Sequence, residues 1–201
     1  IDRFITVPDG LNLHIRIHGA GNGGIPVVCL PGLTRNVLDF EDLARKLAAP
    51  PYDRRIIAIS SRGRGLSDRD PQPERYTIPV EAGDVISVLD EIGVDRAAFI
   101  GTSRGGLILH VLAMTHLDRI EKLVLNDIGP TLDWTAIQRI GDYIAQEVRF
   151  PTFEAGADFV KMVSVTFGPH TDAEWRKLAA DVLRQDKDGS WVRHYDMGLA
   201  Q

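Results

Sequence analysis

Short apolar runs alternate with amphipathic stretches along most of the chain. Ile25 to Leu30, Arg55 to Ile59, Ala97 to Ile100 and Lys122 to Leu125 form four such runs. Runs this short, with little polar interruption, predict strands buried on both faces. Before them, Phe4 to Val7 and Leu11 to His18 are alternating segments joined at Pro8-Asp9-Gly10, which predicts a β-hairpin with a tight turn. Between the runs the period changes to that of a helix. Asn36 is placed to cap a helix running through Leu47, and Thr77 to cap a second whose Ala82, Val85, Ile86, Leu89 and Ile92 share one face before Gly93 ends it. Strand, helix, strand, helix, strand is the order of an α/β fold with a mostly parallel sheet and helices on both faces.

After Gly129-Pro130 no further buried strand run is visible, and three helices are predicted: Thr135 to Val148, Phe153 to Ser164 and Asp172 to Gln185. Thr171 and Glu174 have the spacing of a capping box at the start of the last one. The segment holds many large apolar residues, among them Trp134, Phe153, Met162, Phe167, Trp175 and Trp191. Most are expected to pack helices onto the sheet, with a minority lining a pocket.

The 201 residues are long enough for a substantial core, with 44% hydrophobic and 25% charged positions. A net charge of -5, with basic residues scattered, marks no face for phosphate backbones, so nucleic acid is not an expected partner. The most apolar helical stretch, Gly105 to Met114, is too short for a bilayer, and the N-terminus has no secretory pattern. With Cys29 the single cysteine, neither a disulfide framework nor a cysteine-based metal site is expected, and a cytoplasmic location without membrane attachment is the default.

The pattern that carries chemistry is Gly101-Thr102-Ser103-Arg104-Gly105, a G-x-S-x-G sequence. Composition alone produces this pattern in roughly 1 chain in 16, so its context has to decide. Here it lies between a buried strand run and a helical run, the strand-turn-helix setting of a nucleophile elbow, with Ser103 as the nucleophile. A second element, Cys29-Leu30-Pro31-Gly32-Leu33-Thr34, ends another strand in a turn able to bring backbone N–H groups beside that serine. Leu33 N–H and Arg104 N–H are therefore the candidate oxyanion donors. A third, Ser60 to Asp68, is a Gly-Arg loop that superficially suits phosphate but lacks the Lys-Ser/Thr pair of a nucleotide cradle. No cofactor or metal is expected.

In order, the hairpin turn, the turn Leu30-Pro31-Gly32-Leu33, the loop Arg62-Gly63-Arg64-Gly65-Leu66-Ser67-Asp68, and the elbow followed by Leu123 to Pro130 resemble the α/β-hydrolase superfamily. Pro31 stands where a His is usual, and Ser61 near a position that often carries Asp. The resemblance implies a core over 1–130 and a helical cap over 131–201. A serine nucleophile points to the hydrolase or esterase branch. It also implies a serine, acid, histidine order along the chain. His110 and His116 are carried away from Ser103 along their helix, while His170 and His194 fall in the cap segment and are read as surface or packing residues. The catalytic His and the last core strands are accordingly expected after Gln201. Asp127 is one candidate acid; the other is that it only binds its own turn and the acid also lies later.

The expected activity is cofactor-free cleavage of a small apolar ester, lactone or related carbonyl compound through an acyl-enzyme on Ser103. Carbon-carbon bond hydrolysis of ring-fission products and non-catalytic small-molecule binding stay open beside it. Arg104 has two readings, a brace for the elbow or a contact for a substrate carboxylate.

Overall fold

The computed structural model describes residues 1–164 and 167–200; Val165, Thr166 and Gln201, inside the expected cap segment, lie outside the described residues. Strands β1 (Asp2–Thr6) and β2 (Asn12–His18) form the expected hairpin, its turn closed by Gly10 N–H donating to Val7 O at 2.8 Å. Strands β3 (Val27–Leu30), β4 (Ile56–Ile59), β5 (Ala97–Thr102) and β6 (Ile120–Asn126) complete a six-stranded sheet in the order β1-β2-β4-β3-β5-β6. The four later strands run parallel, and β2 joins them antiparallel to β4.

The alternation of side chains along the central strands explains why both faces carry helices. Val28 and Leu30 of β3, with Ile57 and Ile59 of β4, face helices α2 (Ile78–Glu91) and α3 (Arg104–Thr115). Cys29, Ile56 and Ala58 point the other way, toward Val37, Phe40 and Ala44. Ala44 belongs to helix α1 (Glu41–Ala48), which follows a 3-10 turn over Val37–Phe40. Asn36 caps that turn by accepting from Leu38 N–H, so its capping role is as expected although the α-helix proper starts later. Thr77 precedes α2 as its N-cap, but its hydroxyl makes no capping bond; Pro in the first turn removes one of the N–H groups it would have served.

Strand β6 departs from the sequence expectation of burial on both faces. Only Ile120 is buried, whereas Leu123, Val124 and Leu125 are 37%, 53% and 40% exposed. The apolar run does form a strand, but among the described residues it pairs only with β5 and so forms a sheet edge.

Beyond Pro130 the segment is not wholly helical. Helices α4 (Trp134–Ile144), α5 (Phe153–Val163) and α6 (Asp172–Val182) occupy the expected positions, with the Thr171–Glu174 capping box in place. A small antiparallel sheet of β7 (Arg149–Phe150), β8 (Leu183–Gln185) and β9 (Trp191–Arg193), in the order β7-β9-β8, is also present; β8 takes the last residues of the third predicted helix, while β7 and β9 lie outside the predicted helices. Strands of two or three residues are too short to show a period of two, and over 183–185 the helical pattern runs on through the strand. Phe153 packs edge-on against Trp191, ring centres 5.0 Å apart, over a small core of Val160, Ala179 and Leu183.

This layer is tied back to the loop after β4. Gly65 N–H donates to His194 O at 2.9 Å, and Asp196 N–H to Gly63 O at 2.7 Å. Burial and the nearby Arg184 push the His194 imidazole down to about 4. An unfolded chain would protonate the same ring at about 6.5, so between these pH values the unfolded state binds a proton that the folded state refuses. The stability contributed is complete above pH ~6.5 and is lost as pH falls toward 4. Urea unfolding of the wild type should therefore weaken from pH 7 to pH 4.5 more steeply than that of His194→Gln; parallel curves would refute the assignment. The buried His14, also pushed down by burial, acts in the same sense and leaves a residual slope in the variant.

Candidate active site

Ser103 stands between β5 and α3 with φ 50° and ψ −114°. A non-glycine residue there stores about 1–3 kcal/mol of backbone strain, which the surroundings must enforce. They do so through hydrogen bonds on both sides: Ser103 N–H donates to Asn126 O at 2.9 Å, and Ser103 O accepts from Gly106 N–H at 2.8 Å and Leu107 N–H at 3.2 Å. The glycines of the motif are required by space. A methyl carbon on Gly101 would sit 2.6 Å from Leu109 Cδ1 and 2.7 Å from the carbonyl of Gly105, and one on Gly105 would collide with the carbonyl oxygen of Leu30. The hydroxyl of Ser103 makes no hydrogen bond among the described residues and faces a cleft.

The turn after β3 lies where the sequence placed it. A methyl carbon on Gly32 would be 3.9 Å from Ser103 Cβ, so the Pro31-Gly32 turn adjoins Ser103. Gly32 O accepts from Arg35 N–H at 3.1 Å. In a trans peptide the N–H points opposite to the carbonyl, so Leu33 N–H is turned away from that bond. By the same rule Arg104 N–H is opposed to Ser103 O, which is committed to the first turn of α3. Neither Leu33 N–H nor Arg104 N–H has a partner among the described residues.

The cleft has a volume of about 800 Å³. Its floor includes Gly32, Leu33, Thr102, Ser103 and Asp127 from the core. Arg139, Ile140, Tyr143 and Ile144 form one wall, joined by Val163, Ser164 and Phe167. Of the aromatic and methionine residues singled out from the sequence, only Phe167 lines it. Phe153 and Trp191 pack together within the C-terminal layer, Trp175 is buried, and Trp134 and Met162 are exposed. The lining that the sequence reading missed had a detectable signal. Positions 139, 140, 143 and 144 recur at helical spacing on one face of α4.

Asp127, at the end of β6, has φ 53° and is exposed in the cleft, and its carboxylate makes no hydrogen bond to its own turn. The reading in which it merely satisfies the turn into Gly129-Pro130 finds no bond to support it. No histidine among the described residues lines the cleft with Ser103; His170 lines a neighbouring groove with Thr102 and Asn126. Cys29 is buried, and burial pushes its thiol up to about 12, which removes it as a nucleophile. Among the described residues no cluster of three or more His, Cys, Asp or Glu is placed to hold a metal, and no helix is long and apolar enough to cross a membrane.

The Gly-Arg loop is not a phosphate cradle, because both of its arginines are buried and engaged. Arg62 binds Asp84 at 2.6 and 2.8 Å and Asp70 at 2.6 Å. Arg64 binds Glu81 at 2.8 Å, Arg62 O at 2.7 Å and Leu33 O at 2.7 Å. Arg104 resolves in favour of the brace: it meets Glu81 at 2.8 and 3.0 Å and Tyr76 O at 2.8 Å. Glu81 is 1% exposed. Burial pushes its carboxyl up, but Arg64 and Arg104 outweigh this and hold it below the ordinary range. Sequence reasoning missed it, although an acid at position 81 in line with Val85 and Val88 is a charge on a buried helical stripe.

A model of the alpha/beta hydrolase fold matches residues 25–154. The chain belongs to the α/β-hydrolase family. It is 37% identical over 198 residues to a 3-hydroxybutyrate-oligomer hydrolase of Cupriavidus necator, a match covering 96% of this chain and 66% of that protein. It is 38% identical over 177 residues to Esterase YbfF of Escherichia coli, covering 87% and 59%. The solved structure of an alpha/beta hydrolase from Novosphingobium aromaticivorans superposes with a TM-score of 0.91 at 36% identity, covering all of this chain and 70% of the other. The chain thus spans about two thirds or less of the length of these curated relatives.

Three substitutions test this architecture. Gly105→Ala should cost about 3 kcal/mol, since the obstacle is a backbone carbonyl that cannot swing aside. Gly141→Ala, in the open on α4, should be neutral or gain up to about 1 kcal/mol; equal unfolding midpoints for the two would contradict the packing argument. Arg104→Met strips one cation from the buried Glu81 and should destabilise by about 3 kcal/mol in urea. A loss below about 0.5 kcal/mol would show that the brace carries no weight.

Proposed function

We propose that the chain carries the nucleophile, the oxyanion donors and much of the substrate cleft of a serine hydrolase acting on carboxylic esters. The observation that bears most of this reading is the strained Ser103, enforced by glycine packing and half-buried at the floor of the cleft it lines. Ser103 Oγ attacks the ester carbonyl carbon as a base removes its proton. The carbonyl oxygen becomes an oxyanion held by Leu33 N–H and Arg104 N–H, and the N-terminal end of α3 adds its partial positive charge. Collapse expels the alcohol, which takes the proton from the base and leaves the acyl group on Ser103. Water, activated by the same base, repeats the attack and releases the acid. Asp127 is proposed as the acid orienting that base, and the base as a histidine outside the described residues. Residues after Pro130 serve as a cap in this reading.

The apolar part of the substrate rests against Ile140, Tyr143, Ile144, Val163 and Phe167, where removal from water is worth roughly 25 cal/mol per Å². Similarity to a 3-hydroxybutyrate-oligomer hydrolase and an esterase supports small esters, short hydroxyacyl oligomers included, ahead of sugars or peptides. The intact protein should be labelled on Ser103 by a fluorophosphonate, and Ser103→Ala should lose roughly 10⁴-fold or more in kcat. An adduct elsewhere, or none, defeats the reading. The 201-residue chain alone is expected to turn esters over poorly, and equal rates on matched polar and apolar esters would remove the apolar-cleft assignment.

A further inference from the structure

Glu81 lies on α2 and does not line the cleft, yet it is bonded toward both candidate oxyanion donors. One arm is direct: Arg104, which carries the second donor on its own backbone, binds Glu81 Oε2 through Nε at 3.0 Å and Oε1 through Nη2 at 2.8 Å. The other passes through Arg64, whose Nη1 donates to Glu81 Oε1 at 2.8 Å while its Nε donates to Leu33 O at 2.7 Å. Leu33 carries the first donor. The two donors come from different parts of the chain, one after β3 and one after β5, and no direct hydrogen bond joins them. β3 and β5 are paired as far as Leu30 and Gly101, and beyond those strand ends the separation of the donors depends on what else each is fastened to.

We propose that Glu81 is a positioning residue for the oxyanion site, fixing the spacing of the Leu33 and Arg104 N–H groups by clamping Arg64 and Arg104 to one carboxylate. The proposal rests on the serine hydrolase reading. A carboxylate accepts from both guanidinium groups at once because each oxygen offers two lone pairs. An amide oxygen in place of Oε1 still accepts from both guanidinium groups, but the N–H₂ that replaces Oε2 cannot accept from Arg104 Nε and faces it donor to donor, so the Arg104 arm loses one of its two bonds and the carboxylate's charge and is loosened. Burial makes the arrangement stiff, since Glu81 and Arg64 are each 1% exposed and neither can exchange its partner for bulk water. Oxyanion donors act in the transition state, where their position matters most, so a loosened pair lowers kcat and leaves substrate binding almost unchanged.

The test uses the intact protein, with active sites counted by fluorophosphonate titration carried to completion so that misfolded molecules do not enter the rate. Glu81→Gln is expected to lose roughly 10- to 100-fold in kcat per titrated site, less than removal of a whole donor, with KM within about twofold of wild type. Arg64→Lys keeps a cation beside Glu81 but loses the Nε bond to Leu33 O; it should show the same split, and it carries the test if Glu81→Gln does not accumulate as folded protein. A merely structural Glu81 would lower the unfolding midpoint and the number of titratable sites, not the rate at each site. Per-site kcat within twofold of wild type in the folded variants overturns the proposal while Ser103 labelling stands. Failure of wild-type Ser103 to label overturns the hydrolase reading and this proposal together.

Discussion

The fold around Ser103 depends on one close approach, that of the first turn of α3 to the end of β3. At Gly105 the helix backbone meets the carbonyl of Leu30 with no room for a side chain between them. Contact at that distance fixes the elbow against the neighbouring strand and brings the Pro31-Gly32 turn to the side of Ser103. It also imposes the positive φ of Ser103, because the chain has only three residues between Gly101 and Gly105 in which to leave a strand and enter a helix. The glycines, the strain and the place of Ser103 at the floor of the cleft are consequences of a single steric condition.

A second principle works at longer range. The loop after β4 buries two arginines, an expense the molecule meets by surrounding each with carboxylates and carbonyls. Arg62 gathers Asp70 and Asp84, while Arg64 reaches Glu81 and the carbonyl of Leu33 in the turn after β3. A hydrophobic substitute could fill the same volume but would not carry directional bonds from α2 to a turn and an elbow on the other side of the loop. Charge in this interior acts as a set of fixed-length connectors.

The sequence made the core legible because its signals were of two kinds that agree. Buried apolar runs located β3, β4 and β5, and the elbow motif fell between a strand and a helix as its sterics demand. It could not show that Leu123, Val124 and Leu125 sit on a sheet edge, since an apolar run carries no information about how many neighbours its strand will have. Nor did it separate aromatic residues that line the cleft from those that pack the C-terminal layer; Trp175 and Phe167 look alike along the chain and differ only in which way their helices and turns present them. The strands over 149–150 and 183–185 were lost because two or three residues cannot display a period. Glu81 was the most recoverable omission, an acid on an apolar helical face for which the matching arginines were already in view.

The burial of Cys29 beneath α1 has a practical consequence. With the chain's single thiol walled off and its thiolate disfavoured, maleimide or spin-label reagents should have no native site to attack. A cysteine introduced at an outward position on α4 or α5 can then be labelled alone, without first removing the native one. Pairing such a label with another on the core would turn the gap between the two layers into a measurable distance, in a molecule whose own thiol stays silent.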